Sequence, residues 1–230
     1  MAGCVTAYVQ KAHMNPIGAV KSPQIVSVNV GRPAPLATPR ATVESAIGKA
    51  PVWERVAVRG VNIDGDDQAD RRVHGGADRA LYAYASEDYR WWEAQLERDL
   101  PPGTFGENLT TAGIDVNASL VGERWRVGDD LELEVSTPRV PCFKLAARMG
   151  DPAFVKRFAE ALRPGPYLRI AREGTVAAGD AIVVSHRPGH GIRIVDVAQI
   201  YLFERERLGE LLAAPELGAG WIAWIKDGAQ

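Results

Sequence analysis

"GDDLELEVSTPRVPCFKLAARMG", residues 128–150, holds a strand signal and a chemical signal side by side. A Gly-Asp turn feeds LELEV (131–135), where apolar and acidic residues alternate strictly, as in a strand with one face buried. AGDAIVV (178–184) repeats the plan, a Gly-Asp turn followed by an apolar strand. The pair predicts a barrel built from turn-strand units. Beyond the strand, Pro138 and Pro141 stiffen the approach to Cys142, which has Arg139 and Lys144 on either side. An inert buried cysteine favours a plain apolar run, whereas a metal-binding or nucleophilic thiolate favours cationic neighbours. Cys142 has such neighbours; Cys4 keeps the ordinary reading of an inert thiol.

Outward from this stretch, short segments rich in β-branched or aromatic residues predict strands at 5–9, 25–30, 52–58, 81–84, 124–127, 167–171 and 181–185. RPAPLATPR (32–40), with three prolines, reads as a loop or extended arm. Ser86 is placed to cap a helix with Tyr89, Trp92, Leu96 and Leu100 on one face, stopped by Pro101 and Pro102. Asp151 and Pro152 open a second helix with Phe154, Val155, Phe158 and Leu162 inward. After HRPGHG (186–191) come three short helical patterns at 195–202, 204–213 and 219–226. The expected fold is α+β and mostly β: a closed β-barrel over 1–186 with peripheral helices, and a small three-helix module over 187–230. Too small to bury much core alone, the module is expected to dock through Leu208, Leu211, Trp221 and Trp224 on the main domain or on a second copy, making a homodimer.

Composition removes several function classes. The 230 residues carry a net charge of −2 with dispersed Lys and Arg, which argues against nucleic acid as partner. No window approaches 18 apolar residues, no secretory signal opens the chain and the two cysteines are far apart, so a cytoplasmic protein with no membrane span and no disulfide is expected.

The polar stretch IDGDDQADRRVHGG (63–76) is not an EF-hand loop, because Ala69 and Gly75 stand where that loop needs Gly and Glu. Its tail puts His74 before Gly75 and Gly76, glycines that permit close backbone approach or an anion-holding nest. In FGENLT (105–110), the Asn108 amide suits either its own turn or the edge of a heterocycle.

Four stretches in order, GDDQADRRVHGGADRALYAY (65–84), FGENLT (105–110), STPRVPCFKL (136–145) and GPYLRIAREGTVAAGD (165–180), resemble the MOSC domain. MOSC is named for the C-terminal domain of molybdenum cofactor sulfurases, and this chain resembles the stand-alone bacterial subgroup with a C-terminal three-helix module. The resemblance implies a β-barrel that binds molybdenum cofactor (molybdopterin), with Cys142 as the protein ligand to molybdenum. Arg139, Lys144, Arg169 and Lys49 become candidates for the anionic end of the cofactor, and His74, Gly75, Gly76 and Asn108 for its pterin or the substrate face. Asp70, Asp78 or His74 would relay protons. The implied reaction reduces N-hydroxylated small molecules, such as hydroxylaminopurine-like bases and hydroxylamines, to amines. No flavin or iron–sulfur motif occurs, so a separate flavin or iron–sulfur reductase would supply electrons. The rival reading is a cofactor or sulfur carrier with a persulfide on Cys142.

Overall fold

Strict alternation in LELEV becomes strict alternation of burial: Leu131, Leu133 and Val135 are fully buried, while Glu132 and Glu134 face outward, half-buried. The computed structural model describes residues 22–68 and 75–228; Cys4, the strand expected at 5–9, Asp70 and His74 lie outside them. Thirteen strands are described: β1 (Gln24–Val30), β2 (Ala34–Ala37), β3 (Thr42–Ser45), β4 (Ala50–Val52), β5 (Val56–Arg59), β6 (Asn62–Ile63), β7 (Leu81–Ala85), β8 (Leu109–Ala112), β9 (Arg124–Val127), β10 (Leu131–Pro138), β11 (Pro166–Arg172), β12 (Gly174–Val176) and β13 (Ile182–His186). The α-helices are α1 (Ser86–Leu96), α2 (Phe143–Met149), α3 (Phe154–Ala161), α4 (Ile194–Phe203) and α5 (Ala219–Gly228).

Eight strands form one mixed sheet in the order β13-β9-β10-β11-β7-β8-β1-β4, with β7 and β8 parallel and every other pair antiparallel. The expected closed barrel does not form. The sheet ends at β13 and β4; the start of β1 meets residues 179–182 through one isolated bridge, Gln24 to Ala181, and three backbone hydrogen bonds, without forming a ladder. Two local features explain this. Residues 178–179 form a turn, so the contact with β1 beyond Ala181 is made by single hydrogen bonds of Asp180 and Gly179 and not by a strand. The single strand expected at 52–58 breaks at 53–55, so β4 stays beside β1 while β5 joins β12 and β6 in a separate three-stranded sheet. RPAPLATPR is extended, as its prolines require, and pairs as a ribbon of β2 and β3.

α1 begins one residue from where capping chemistry suggests: Ala85 occupies the cap position, and Ser86 is the buried first helical residue. The helix ends before its prolines, at Glu97 in a left-handed conformation (φ 51°). Its buried face, Tyr89 and Trp92, meets Phe105 and α3 in an aromatic cluster, with Tyr84 and Phe105 centroids 4.5 Å apart and Trp92 and Phe154 4.9 Å apart.

The C-terminal helices do not sit apart. The middle pattern is a 3₁₀ run, Arg205–Ala213, and its Leu208 and Leu211 join Ala214, Leu217 and Ile225 in one buried cluster with Val121, Leu133 and Val135 of the sheet region. No helix among the described residues is long and apolar enough to cross a membrane.

Because Leu211 is fully buried in that shared cluster, Leu211→Ala should destabilise the protein by about 2–5 kcal/mol. Chemical denaturation followed by far-UV signal and by tryptophan fluorescence should give coincident transitions. A separate transition that alone shifts in the variant would contradict a shared core.

Candidate active site

β10 delivers the central residues. Its end is pinned by Ser136, whose single hydroxyl proton is shared between the carbonyls of Asp78 and Tyr167 (3.1 Å to the latter). Pro138 then ends the ladder, and Arg139 crosses inward, its backbone N–H donating to the Gly165 carbonyl at 3.1 Å. The Arg139 guanidinium lies 5.3 Å from the Phe158 ring centroid and 5.9 Å from that of Tyr82. Arg139 is 5 % exposed, yet its Nη1 is buried with no hydrogen-bond partner. A buried, unsatisfied guanidinium N–H is costly unless something anionic or polar arrives to take it. Cys142 follows in extended backbone, half-buried, at the start of α2.

Arg139 and Cys142 line a cavity of about 110 Å³ with Lys49, Asp66, Tyr82, Asn108, Lys144 and Tyr167. Its polar floor is organised by Asp66. One carboxylate oxygen accepts from the Gly31 N–H at 2.7 Å and from Lys49 Nζ; the other accepts from Asn108 Nδ2 at 3.0 Å. Asn108 is itself fixed at both ends: Oδ1 accepts from the Tyr82 N–H at 3.1 Å, and Nδ2 also reaches the Asn29 carbonyl at 3.3 Å. Burial pulls the Lys49 ammonium below the ordinary lysine range, opposed by the neighbouring Asp66 carboxylate. Burial likewise pushes the Tyr167 phenol up, with the Arg139 charge acting against it.

Segment 45–49 reaches this place because two glycines let it lie flat on the loop before β8. A Cβ on Gly103 (φ 86°) would stand 2.7 Å from the Lys49 carbonyl oxygen, and one on Gly106 (φ 80°) 2.8 Å from Ile47 Cγ1. Behind this loop lies Glu107, fully buried. Its Oε1 accepts from the Tyr89 hydroxyl (2.6 Å), the Gly103 N–H (2.7 Å) and the Thr110 hydroxyl (2.8 Å), while Oε2 has no partner. Burial raises its carboxyl above the ordinary value of 4.5.

Of the residues singled out in the sequence, Cys142, Arg139, Lys144, Lys49 and Asn108 meet around this cavity. Arg169 is elsewhere, held by Asp78 (2.6 Å) and Glu134 (2.8 Å). Gly75 lines a second cavity, of about 520 Å³, that adjoins the first at Arg79, Val140, Cys142 and Tyr167. Gly76, at φ 92°, donates its N–H to Gln68 Oε1 at 3.1 Å and starts the 3₁₀ turn Ala77–Arg79. Asp66, Tyr82 and Tyr167 were not singled out as site residues in the sequence, although all three fall within the stretches that carry the family resemblance.

The family model described as "MOSC domain" matches residues 70–183, the span that carries Asn108, Arg139, Cys142 and Lys144. YflK of Bacillus subtilis (strain 168) is 33% identical over 202 residues, covering 86% of this chain and 91% of that protein. The chain belongs to the MOSC domain family. A protein of Gibberella moniliformis (strain M3125 / FGSC 7600) named "Reductase" is 34% identical over 161 residues, 69% of this chain and 28% of that protein. Among solved structures, YiiM from Geobacillus stearothermophilus matches with a TM-score of 0.74 and 30% identity, covering 90% of this chain and 100% of that one.

The residues of this MOSC protein fit the molybdenum cofactor that the family implies. Arg139 offers an unsatisfied N–H to an anion, Lys49 and Lys144 add positive charge, and Cys142 offers a thiol at the mouth. Among the described residues no group of three or more His, Cys, Asp or Glu is placed to hold a bare ion. One thiol suits a metal that brings its other ligands with it.

Glu107 gives a test of this electrostatic setting that needs no cofactor. Raised above 4.5, it keeps in the folded protein a proton that the unfolded chain has released. Its contribution to stability is full below that value and is lost as pH rises through the folded-state value. Glu107→Gln cannot titrate and should lack this decline. Denaturation midpoints at roughly pH 4 to 8 measure it; equal slopes for both proteins would contradict the assignment.

Proposed function

We propose that this MOSC protein is an oxidoreductase that reduces N-hydroxylated compounds to amines at a molybdenum cofactor held by Cys142. The observation that carries the reading is Arg139, which lines the cavity beside Cys142 and keeps one buried guanidinium N–H without a partner. The fungal relative's name supports reduction as the reaction type. In balance, R–NH–OH takes up two electrons and two protons, the N–O bond breaks, and R–NH₂ and water leave. The bound cofactor supplies the two-electron chemistry, and a separate flavin or iron–sulfur reductase replenishes the electrons.

The chain's own residues do the rest. Cys142 Sγ, a soft donor, ligates the metal. Arg139 Nη1, with Lys144, takes the cofactor's phosphate through charge-assisted hydrogen bonds. Lys49 Nζ, kept in place by Asp66, holds a proton inside the cavity, and its lowered pKa makes it a readier donor than an exposed lysine. The aromatic walls, Tyr82 and Tyr167, limit water.

Cys142→Ala should purify from a cofactor-competent host without molybdenum and without N-reduction. Its melting temperature should stay within a few degrees of wild type, since a half-buried thiol contributes little packing. Full activity in the variant would contradict the ligand role, and labile sulfane sulfur on Cys142 in metal-free wild type would favour a persulfide carrier instead.

Arg139→Gln should weaken cofactor affinity by about 1–3 kcal/mol, a factor of roughly ten to a hundred, with Arg139→Lys recovering part of it. Titration of cofactor-free protein measures this directly. Equal affinities for wild type and Arg139→Gln would place the phosphate on another residue.

A further inference from the structure

The second cavity has a character of its own. It shares Cys142 with the first, but its far wall is aromatic and comes from the C-terminal helices: Tyr201 from α4, and Trp221 and Trp224 from α5. The three rings touch one another, with centroids 5.3 Å (Tyr201–Trp221), 5.4 Å (Tyr201–Trp224) and 6.0 Å (Trp221–Trp224) apart.

Core packing accounts for them only in part: Trp221 packs against the main core, but none of the three rings is fully buried. Tyr84, Trp92 and Phe105, which do form core, are at most 2 % exposed, whereas Trp224 is 37 % exposed and Tyr201 and Trp221 are half-buried. Leaving indole surface in water beside a cavity forgoes burial that a ligand would restore. The wall is also held firmly. Ile225, next to Trp224, is fully buried in the main core. Gly218 (φ 90°) opens α5 so close to the Arg169–Asp78 pair that a Cβ would come 2.7 Å from Asp78 Oδ2 and 2.9 Å from Arg169 Nη2. Arg169 thus helps to seat the module that carries the rings.

The two cavities divide the chemistry around one thiol. Lys49, Lys144 and Arg139, which keeps one N–H without a partner, line the first, which suits an anion; the second presents aromatic rings, which suit a flat ring. Its volume of about 520 Å³ lies in the range of small-molecule sites.

We infer that Tyr201, Trp221 and Trp224 are the ring-binding half of the Cys142 site, selecting substrates whose N–OH group is borne on a flat aromatic or heteroaromatic ring. The N–OH part of this statement rests on the proposed reduction; ring binding does not. All three residues lie beyond the matched family span, which ends at residue 183, so the C-terminal helices add an aromatic wall to a cavity that the shared domain lines with Tyr167 and Cys142.

Two measurements test the inference. Calorimetric titration of cofactor-free protein with adenine should show binding that Trp224→Ala weakens about tenfold and Trp224→Phe largely preserves. With cofactor-loaded protein, kcat/KM for phenylhydroxylamine should fall about tenfold in Trp224→Ala, while that for N-methylhydroxylamine stays within about twofold and molybdenum content is unchanged. Equal losses for both substrates, or adenine binding indifferent to residue 224, would overturn the ring site. Loss of molybdenum from a folded Trp224→Ala would overturn it too, by giving the aromatic wall to the cofactor. If loaded wild type reduces neither hydroxylamine while adenine binding still depends on Trp224, the N-hydroxyl reading fails and the ring site stands.

Discussion

Asp66 draws three donors from three separate segments: the Gly31 N–H after β1, Lys49 Nζ on the arm before β4, and Asn108 Nδ2 before β8. Its side chain is 3 % exposed and that of Lys49 8 %. A carboxylate so deeply buried is tolerated only with its oxygens satisfied. The three segments are therefore tied to one point, and Asp66 with the Lys49 and Asn108 segments makes one side of the polar cavity. The other side is β10 and the turn that leads from it into α2. Pro138 ends that strand where Arg139 can turn inward and Cys142 can stand at the junction of two cavities.

Each side of Cys142 then has a distinct physical task. The cationic cavity leaves one buried N–H unmet, a cost that an anionic ligand removes. The aromatic cavity leaves indole surface partly wet, a cost that a flat ring removes. Both are sustained by rigid surroundings: the aromatic cluster under Arg139 on one hand, and the core shared by sheet and C-terminal helices on the other.

Local signals were legible in the sequence, and long-range ones were not. Alternation in LELEV gave the buried face of β10 correctly, and the cations around Cys142 marked the stretch that lines the cavity. The ordered motifs gave the family. Barrel closure was misread because it depends on events that no local pattern encodes: the break at 53–55 and the turn at 178–179. The role of Asp66 was not legible within its motif stretch, since its partners lie 35, 17 and 42 residues away. Arg169 looked available for a phosphate because its acidic partners, Asp78 and Glu134, are 91 and 35 residues distant. Residue type named the candidates, and the fold decided which of them meet.

The central claim is that the Cys142 thiolate is bonded to molybdenum. X-ray absorption at the molybdenum edge of the loaded protein tests it most directly, comparing wild type with a Cys142→Ser variant reconstituted with the same cofactor. The account predicts one sulfur more in the wild-type metal shell than in the variant, with an oxygen in its place after substitution. The same sulfur count in both proteins would contradict it.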